Sequence, residues 1–280
     1  MPETTQAETG AQQETHGLRH LMSRLRSYFL WTPLIWLYTI VLGTLSLLSS
    51  FFDKSGRIQH RFAQLWAGAI LKTIDASPQI EGFEKIDTTK AAVYVVNHLS
   101  ALDIPVLYAH LPFQFRILAK RELFHYPFMG WHLRRSGQIP VVLENPRASV
   151  RSLNRAVASL HDGMSLVIFP EGGRSPDGQL HTFMGGAFYA AIKAQVDIVP
   201  VALVGTFEML KMNTWHIKPG PLQLLAGQPI STLGMSTRDM EKLSAQAQAV
   251  IARLYYSHSM VPDLRGQGPD EKRIQAVKVD

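Results

Sequence analysis

The stretch that decides the fold is AAVYVVNHLSALD, residues 91–103. Its first six residues are apolar and rich in Val, which is typical of a strand buried on both faces of a sheet. Polar residues follow at once, and Ser100-Ala-Leu-Asp103 has the pattern of a helix start, with a hydroxyl at the cap and a carboxylate in the first turn. A buried strand that runs directly into a helix predicts an α/β domain.

The same alternation continues along the chain. Further apolar runs rich in Val, Ile and Leu predict strands at 115–119, 138–143, 166–169, 198–204 and 222–226. The apolar spacing between and after these runs predicts helices at roughly 101–110, 122–135, 147–162, 183–195 and 237–256. We therefore predict an α/β fold, a layered sheet flanked by helices, for a domain over residues 77–260.

A different composition precedes this domain. Residues 28–52 contain no Asp, Glu, Lys or Arg, and as a helix they would be about 37 Å long, enough to cross a hydrocarbon core of ~30 Å. We predict that residues 28–76 form an N-terminal hydrophobic helical membrane anchor, with a second apolar helix at 62–71. Three basic residues flank the uncharged segment on each side, so the positive-inside rule leaves a spanning and a re-entrant form both open.

Residues 1–27 are predicted to be a disordered tail, and residues 261–280 are predicted to be a polar tail.

Composition excludes several classes of protein. The 280 residues include no Cys, which excludes disulfide scaffolds, thiolate nucleophiles and Cys-ligated metals. The 28 Lys and Arg outnumber the 22 Asp and Glu, mainly through a basic cluster at 110–155, and such clusters attract phosphate groups. No nucleic-acid motif accompanies this cluster, so we expect no nucleic-acid partner.

His98 and Asp103 are the first candidate catalytic residues. Positions five apart lie about 140° apart around a regular helix, but across a strand-to-helix turn these two side chains can meet. An imidazole oriented by a carboxylate is a general base. The alternative is that Asp103 only caps the helix. A second pair of the same spacing, His258 and Asp263, follows no strand and is interpreted as accidental.

A second candidate block, FPEGGRS at 169–175, also comes directly after an apolar run. Pro and the paired Gly predict a tight loop that exposes backbone N–H groups, with the carboxylate of Glu171 and the guanidinium of Arg174 close by. That combination suits an oxyanion or a phosphate. An ordinary surface turn is the alternative.

Together these blocks resemble the glycerolipid acyltransferase family, whose best-known members are 1-acylglycerol-3-phosphate acyltransferases. NHLSALD at 97–103 matches the family's NHx4D block, and FPEGGRS matches FPEGTRS except for Gly173. Residues 119–123 with 137–141 resemble the family's second region, and 198–201 resemble its short final block. The resemblance covers about residues 80–205.

The resemblance implies transfer of an acyl group from acyl-CoA or an acyl-carrier protein to the free hydroxyl of a lysophospholipid. The expected acceptor is 1-acylglycerol-3-phosphate, which would give phosphatidic acid. His98 would be the base and Asp103 would orient it. Substrate binding would fall to Lys120, Glu171, Gly172 and Arg174. The resemblance implies no metal and no bound cofactor, contact with membrane lipids, and an active site on the cytoplasmic face of the cell membrane.

Two departures from the family pattern bear on the acceptor. Leu143 stands where the family's second region usually ends in Arg, and Met184 stands where relatives often have Lys. Arg147 or Arg151 are candidates to replace the missing charge. The departures favour, as an alternative, an acceptor that lacks a phosphate monoester. A lipid-binding membrane protein without catalytic activity is a further alternative.

Overall fold

The structure is a computed structural model that describes residues 17–142 and 146–264, with only the backbone described at 146–148. Its N-terminal part is a pair of helices that pack against each other, Gly17–Ser49 (α1) and Arg57–Thr73 (α2). A π-helical segment, Ser27–Trp31, interrupts α1. Pro33 lies two residues after the end of this segment, and Pro lacks the N–H that a regular helical turn requires.

The α/β domain is built on one sheet. Within the described residues its strands are Gln79–Glu81 (β1), Val93–Val96 (β2), Phe115–Lys120 (β3), Ile139–Val141 (β4), Ser165–Ile168 (β5), Ile198–Val204 (β6) and Gln223–Ala226 (β7). They lie in the order β1-β7-β6-β2-β5-β3-β4. The strands from β6 to β4 are parallel, whereas β7 runs antiparallel to β6 and pairs in parallel with β1.

Helices cover both faces of this sheet. In chain order they are Asp103–His110 (α3), Met129–Arg135 (α4), Pro146–His161 (α5), Gly186–Ala194 (α6), Thr206–Met209 (α7) and Met240–Tyr256 (α8). Val93 and Val95 of β2 pack into a core with α5, α6 and α8. Tyr94 and Val96 of the same strand pack with α2 and α3 on the other face. All four residues are buried, which explains the unbroken apolar run of a strand enclosed on both sides.

The predicted α/β fold with a preceding apolar helix is confirmed. Each predicted apolar run overlaps a strand, and each predicted helical stretch overlaps a helix. The sequence analysis missed β1, because Gln79–Glu81 is short and exposed and two of its three residues are polar. Such a segment becomes a strand only through its pairing with β7.

One predicted boundary is wrong. Residues 17–26 are helical, whereas the disordered tail was predicted to extend to residue 27. Leu18, Met22 and Leu25 recur at helical spacing and form an apolar stripe that the polar composition of the first sixteen residues obscured. The rest of that predicted tail, and nearly all of the C-terminal one, lie outside the described residues.

The exposed side of α1 is apolar and its inner side carries small polar residues. Ser27, Ser46 and Ser50 are buried, whereas Ile40 is 63% exposed and Phe52, just beyond the helix, is 90% exposed. This is the reverse of a helix in a water-soluble fold. Within the described residues, α1 is the one helix long and apolar enough to cross a membrane.

Contacts near both ends hold α1 along the α/β domain. Ser23 Oγ lies 3.1 Å from His216 Nε2, and Ser46 Oγ lies 3.1 Å from His132 Nδ1 on α4. These contacts are 23 residues apart along α1, which corresponds to about 35 Å of helix. The helix therefore lies against the domain and does not project from it.

Candidate active site

The candidate residues converge because parallel strands end at the same edge of the sheet. His98 follows the end of β2, Glu171 follows the end of β5, and Lys120 is the last residue of β3. The strands β2, β5 and β3 are neighbours in the sheet. Polar groups at this carboxyl edge are the usual ligand-binding groups of open α/β sheets.

His98 and Asp103 meet as predicted. Nδ1 of His98 lies 2.8 Å from Oδ2 of Asp103, and the Asp103 side chain is completely buried. An ionised carboxylate only accepts hydrogen bonds, so this contact assigns the proton to Nδ1. It leaves Nε2 of His98 as the nitrogen with a free lone pair.

Asp103 also holds the turn that carries His98. The same Oδ2 accepts hydrogen bonds from the backbone N–H groups of Leu99 (2.8 Å) and Ser100 (2.9 Å). Orientation of the imidazole and support of the helix start are therefore both present, and the two interpretations are not exclusive. Within the described residues, Oδ1 of Asp103 has no hydrogen-bond partner, so the contacts made through Oδ2 are the ones that stabilise this buried carboxylate.

The His98 ring is held but accessible. It stacks on the ring of Phe169, with 4.0 Å between centroids and 23° between planes. Its side chain is 18% exposed. The stacked ring cannot turn freely, and the open edge gives a substrate access to Nε2.

Glu171 supports the same turn from the neighbouring strand. Its Oε1 accepts the backbone N–H of His98 and its Oε2 accepts that of His181, both at 2.9 Å. Burial raises the pKa of Glu171 to about 7, although these two hydrogen bonds act in the opposite direction. Both oxygens thus face backbone amides, a role in positioning His98 that the sequence analysis, which assigned Glu171 to substrate binding, did not foresee.

The rest of the second block is a tight loop tied to the first. Gly172 adopts a left-handed conformation, with φ of 75°, which favours Gly. The backbone N–H of Ser175 donates to the carbonyl of His98 at 2.9 Å. A side-chain Cβ at position 173 would meet nothing within 4 Å, so the loop also accommodates the Thr that relatives carry there.

Two further residues stabilise the site: Asn97, for which the sequence predicted no role, and Ser100, which was predicted only as a helix cap. The side chain of Asn97 exchanges two hydrogen bonds with the backbone of Leu203 in β6, at 2.9 and 2.7 Å. Ser100 Oγ donates to the carbonyl of Leu210 at 2.8 Å. Asn97 belongs to the NHx4D block, and its position directly after a buried strand was the available signal.

Some basic residues of the cluster are hydrogen-bonded to the protein's own backbone. The guanidinium of Arg116 donates to the backbone carbonyls of Ser136 and Ser55, and that of Arg134 donates to the carbonyl of Phe124. These two cations of the basic cluster therefore stabilise the fold, and the expectation that the whole cluster faces phosphate is wrong for them.

Exposed cations remain near the carboxyl edge of the sheet. Arg174 is exposed in the second block, and Lys120 lies 4.0 Å from the carboxylate of Glu122. Arg151 is exposed on α5. Leu143 and the side chain of Arg147 lie outside what the structure describes. No group of three or more His, Cys, Asp or Glu side chains in residues 17–142 and 146–264 is arranged to hold a metal ion.

Comparisons with known proteins agree with this geometry. Residues 77–204 match the family model described as Acyltransferase. The chain is 36% identical to the chloroplastic 1-acyl-sn-glycerol-3-phosphate acyltransferase LPAT1 of Arabidopsis thaliana over 182 residues, which cover 64% of this chain and 51% of the plant protein. A 1-acyl-sn-glycerol-3-phosphate acyltransferase of Chlamydomonas reinhardtii is 29% identical over 262 residues, covering 90% of this chain and 76% of the algal protein.

A solved structure is also similar. The 1-acyl-sn-glycerophosphate acyltransferase PlsC from Thermotoga maritima superposes with a TM-score of 0.67 and is 27% identical, covering 85% of this chain and 95% of the bacterial one. The chain spans about half the length of two of its plant relatives, 51% and 52%.

Proposed function

Since the chain belongs to the acyltransferase family through residues 77–204, we propose that it transfers an acyl group from a thioester to the free hydroxyl of 1-acylglycerol-3-phosphate, forming phosphatidic acid. The observation that carries the proposal is the contact between His98 and the buried Asp103 at 2.8 Å. It supplies a positioned base with one accessible nitrogen, which is what deprotonation of an alcohol requires.

The reaction follows from the orientation of His98. As the acceptor oxygen attacks the thioester carbonyl, a C–O bond forms and Nε2 accepts the hydroxyl proton. The buried carboxylate of Asp103 stabilises the resulting imidazolium. The tetrahedral intermediate then collapses, the C–S bond breaks, and the departing sulfur takes the proton from Nε2.

Residues at the carboxyl edge of the sheet bind the phosphate-bearing substrates. Arg174 and Lys120 are exposed there on neighbouring strand ends, and a guanidinium can bind phosphate with two parallel hydrogen bonds. Gly172 lets the backbone of the loop approach a ligand closely. Glu171 contributes by holding His98 in place. The acyl donor is acyl-CoA or an acyl-carrier protein.

The proposed location is one leaflet of a membrane. The apolar outer face of α1 would contact acyl chains, and the contacts of Ser23 and Ser46 with the α/β domain keep α1 against it. A helix held in this way lies along the domain, which favours the in-plane or re-entrant form over the spanning one. We place the active site on the cytoplasmic face, because a charged thioester donor does not cross a bilayer.

The test is an acyl-transfer assay on the purified full chain. Lysophosphatidic acid and other lysolipids are each combined with acyl-CoA and with acyl-carrier-protein donors. Phosphatidic acid formation that is lost in His98→Ala supports the proposal. Absence of turnover with every pair would contradict it and leave a lipid-binding protein without catalytic activity.

A second candidate acceptor is a lysolipid without a phosphate monoester. It is favoured by Leu143 and by Met184, which is 43% exposed and donates its backbone N–H to the carbonyl of Pro170. Relatives often carry a cation at both positions. Leu143→Arg separates the two candidates: since a hydrogen bond to a charged group contributes ~1.5–3 kcal/mol, KM for lysophosphatidic acid should fall about tenfold with kcat unchanged. A rise in KM supports the second candidate.

A further inference from the structure

A cationic cluster lies beside the N-terminal part of α1, where the helix meets the loop that contains His216 and Ile217. It comprises Arg19, Arg24 and Arg26 on the helix and Lys218 on the facing loop, and all four are exposed. The sequence contains no Asp or Glu between Glu14 and Asp53, or between Glu208 and Asp239. The two segments that form the cluster therefore carry no neutralising charge of their own.

Short-range contacts hold the loop against the helix. The rings of His20 and His216 meet edge to face, with 5.3 Å between centroids. Ser27 Oγ donates to the carbonyl of Ile217 at 3.0 Å. Burial lowers the pKa of His216, and the positive charges of Lys218, His20, Arg24 and Arg26 lower it further, which indicates how closely these groups are gathered.

The apolar and basic residues between positions 18 and 26 of α1 are arranged as in a helix that lies in a membrane interface. Leu18, Met22 and Leu25 form an exposed apolar stripe, and the residues that contact the loop lie on the opposite side. At about 100° per residue, Arg19 and Arg26 flank one side of the apolar stripe and Arg24 flanks the other. Basic residues in such positions reach lipid headgroups while the apolar stripe enters the acyl region.

Aromatic side chains extend the surface formed by the cationic cluster and the apolar stripe. The rings of Trp36 and Trp215 are 6.2 Å apart, and both side chains are about half exposed. The guanidinium of Arg26 lies 4.1 Å from the centroid of Trp31. Trp is enriched where a membrane meets water, so the cluster and the aromatic residues indicate the same plane.

We propose that this cluster binds the headgroups of anionic phospholipids and makes membrane attachment selective for negatively charged bilayers. The inference rests on the proposed contact of α1 with a membrane. An acidic acyl-carrier protein is the other partner that positive charge would attract. The bilayer is favoured because the cluster is continuous with the exposed apolar stripe, which a polar carrier protein would leave in water.

The test compares vesicles of phosphatidylcholine alone with vesicles in which roughly a third of the lipid is phosphatidylglycerol, because an anionic surface attracts Lys and Arg. Binding of the full chain is measured by flotation in the His98→Ala background, so that the result does not depend on catalysis. Since each Lys or Arg near an anionic surface strengthens binding about fivefold, Arg24→Glu with Lys218→Glu should weaken binding to the anionic vesicles by at least about 25-fold. Binding to neutral vesicles should be unchanged.

The matched control is Lys242→Glu with Arg253→Glu, two exposed cations of α8 on the other side of the sheet, which should retain the anionic preference. Equal binding of the parent protein to both vesicles, or an intact preference in Arg24→Glu with Lys218→Glu, overturns the inference. The same double variant is also assayed with His98 intact: unchanged vesicle binding with a raised KM for the carrier-protein donor alone likewise overturns the inference and would identify a docking site for that protein. Failure to bind either vesicle contradicts the membrane contact of α1 itself.

Discussion

The carboxyl edge of the sheet and the outer face of α1 both depart from the usual arrangement of a soluble protein, in which charges are exposed and large apolar side chains are buried. The sheet edge buries a charge, and the outer face of α1 exposes apolar side chains. At the sheet edge a carboxylate, Asp103, is fully buried. On α1 large apolar side chains such as Phe29 are exposed, while Ser27 and Ser46 are buried. Both arrangements are unfavourable unless a partner compensates them.

The partners differ between the two regions. Asp103 finds His98 and two backbone amides within the chain, so this region is complete once the protein folds. The outer face of α1 remains uncovered in the described part of the chain, which is compatible with membrane association. The first region therefore indicates chemistry, and the second indicates a lipid environment.

The largest expected effect comes from removing the base. His98→Ala should lower kcat by at least about a hundredfold, because positioned general-base catalysis contributes about 10²–10⁴-fold. Asp103→Asn should also be severely impaired, since the amide no longer fixes the imidazole tautomer or its charge. Steady-state acyl transfer measures both. His258→Ala, beside β1 and β7, is the matched control, and near-normal turnover in His98→Ala would refute the mechanism.

The next effect tests the exposed face of α1. Ile40→Asp with Leu48→Asp places two carboxylates on the outer surface without touching the inner one. An Asp at the centre of a membrane helix costs about 2.5–3.5 kcal/mol, so the protein should move from the membrane to the soluble fraction after gentle lysis, by a factor of about 50 or more. Leu233→Asp with Met260→Asp changes two apolar residues elsewhere that are even more exposed and should leave the distribution unchanged. Retention of the α1 variant on membranes would contradict the anchor.

A smaller effect is expected at Glu171. The amide of Glu171→Gln can accept only one of the two backbone N–H groups well, so kcat should fall about tenfold through looser positioning of His98. Glu241→Gln, an exposed change on α8, should have no effect. An equal kcat in Glu171→Gln would show that this support is dispensable.

The same residue predicts a pH dependence of stability. Burial raises the pKa of Glu171 from 4.5 to about 7, so between these values the folded state holds the proton and the unfolded state does not. The contribution of Glu171 to the free energy of unfolding therefore decreases as pH rises from about 4.5 to 7, by up to about 3 kcal/mol. Denaturant unfolding at several pH values should show this slope in the parent protein and a smaller slope in Glu171→Gln.

The smallest effect distinguishes the paired glycines. Gly173→Thr should change activity by less than about twofold, because its Cβ meets open space, and should stabilise the fold by up to about 1 kcal/mol. Gly172→Ala should destabilise the loop by about 1 kcal/mol, because its φ is 75°. Thermal unfolding and steady-state kinetics measure both, and an equal response of the two variants would contradict the loop geometry.

The sequence by itself determined the features that depend on neighbours along the chain. The runs that become β2 and β6 are apolar at almost every position, because strands buried on both faces leave no room for polar alternation. The contact of His98 with Asp103 spans five residues, so the turn between strand and helix was enough to predict it. The uncharged segment at 28–52 likewise indicated an environment other than water.

Only the tertiary structure decided the features that join distant segments. Glu171 reaches the backbone of His98 across 73 residues, which adds a positioning contact to its predicted role in substrate binding. Arg116 reaches the backbone of Ser55 across 61 residues, so it is not among the cations that are free to meet a phosphate. Sequence pattern reports how apolar each position is, and the uncharged segment at 28–52 is apolar at most positions. Which side of α1 packs on the domain was settled by contacts such as Ser46 with His132, because a buried hydroxyl must find a distant hydrogen-bond partner.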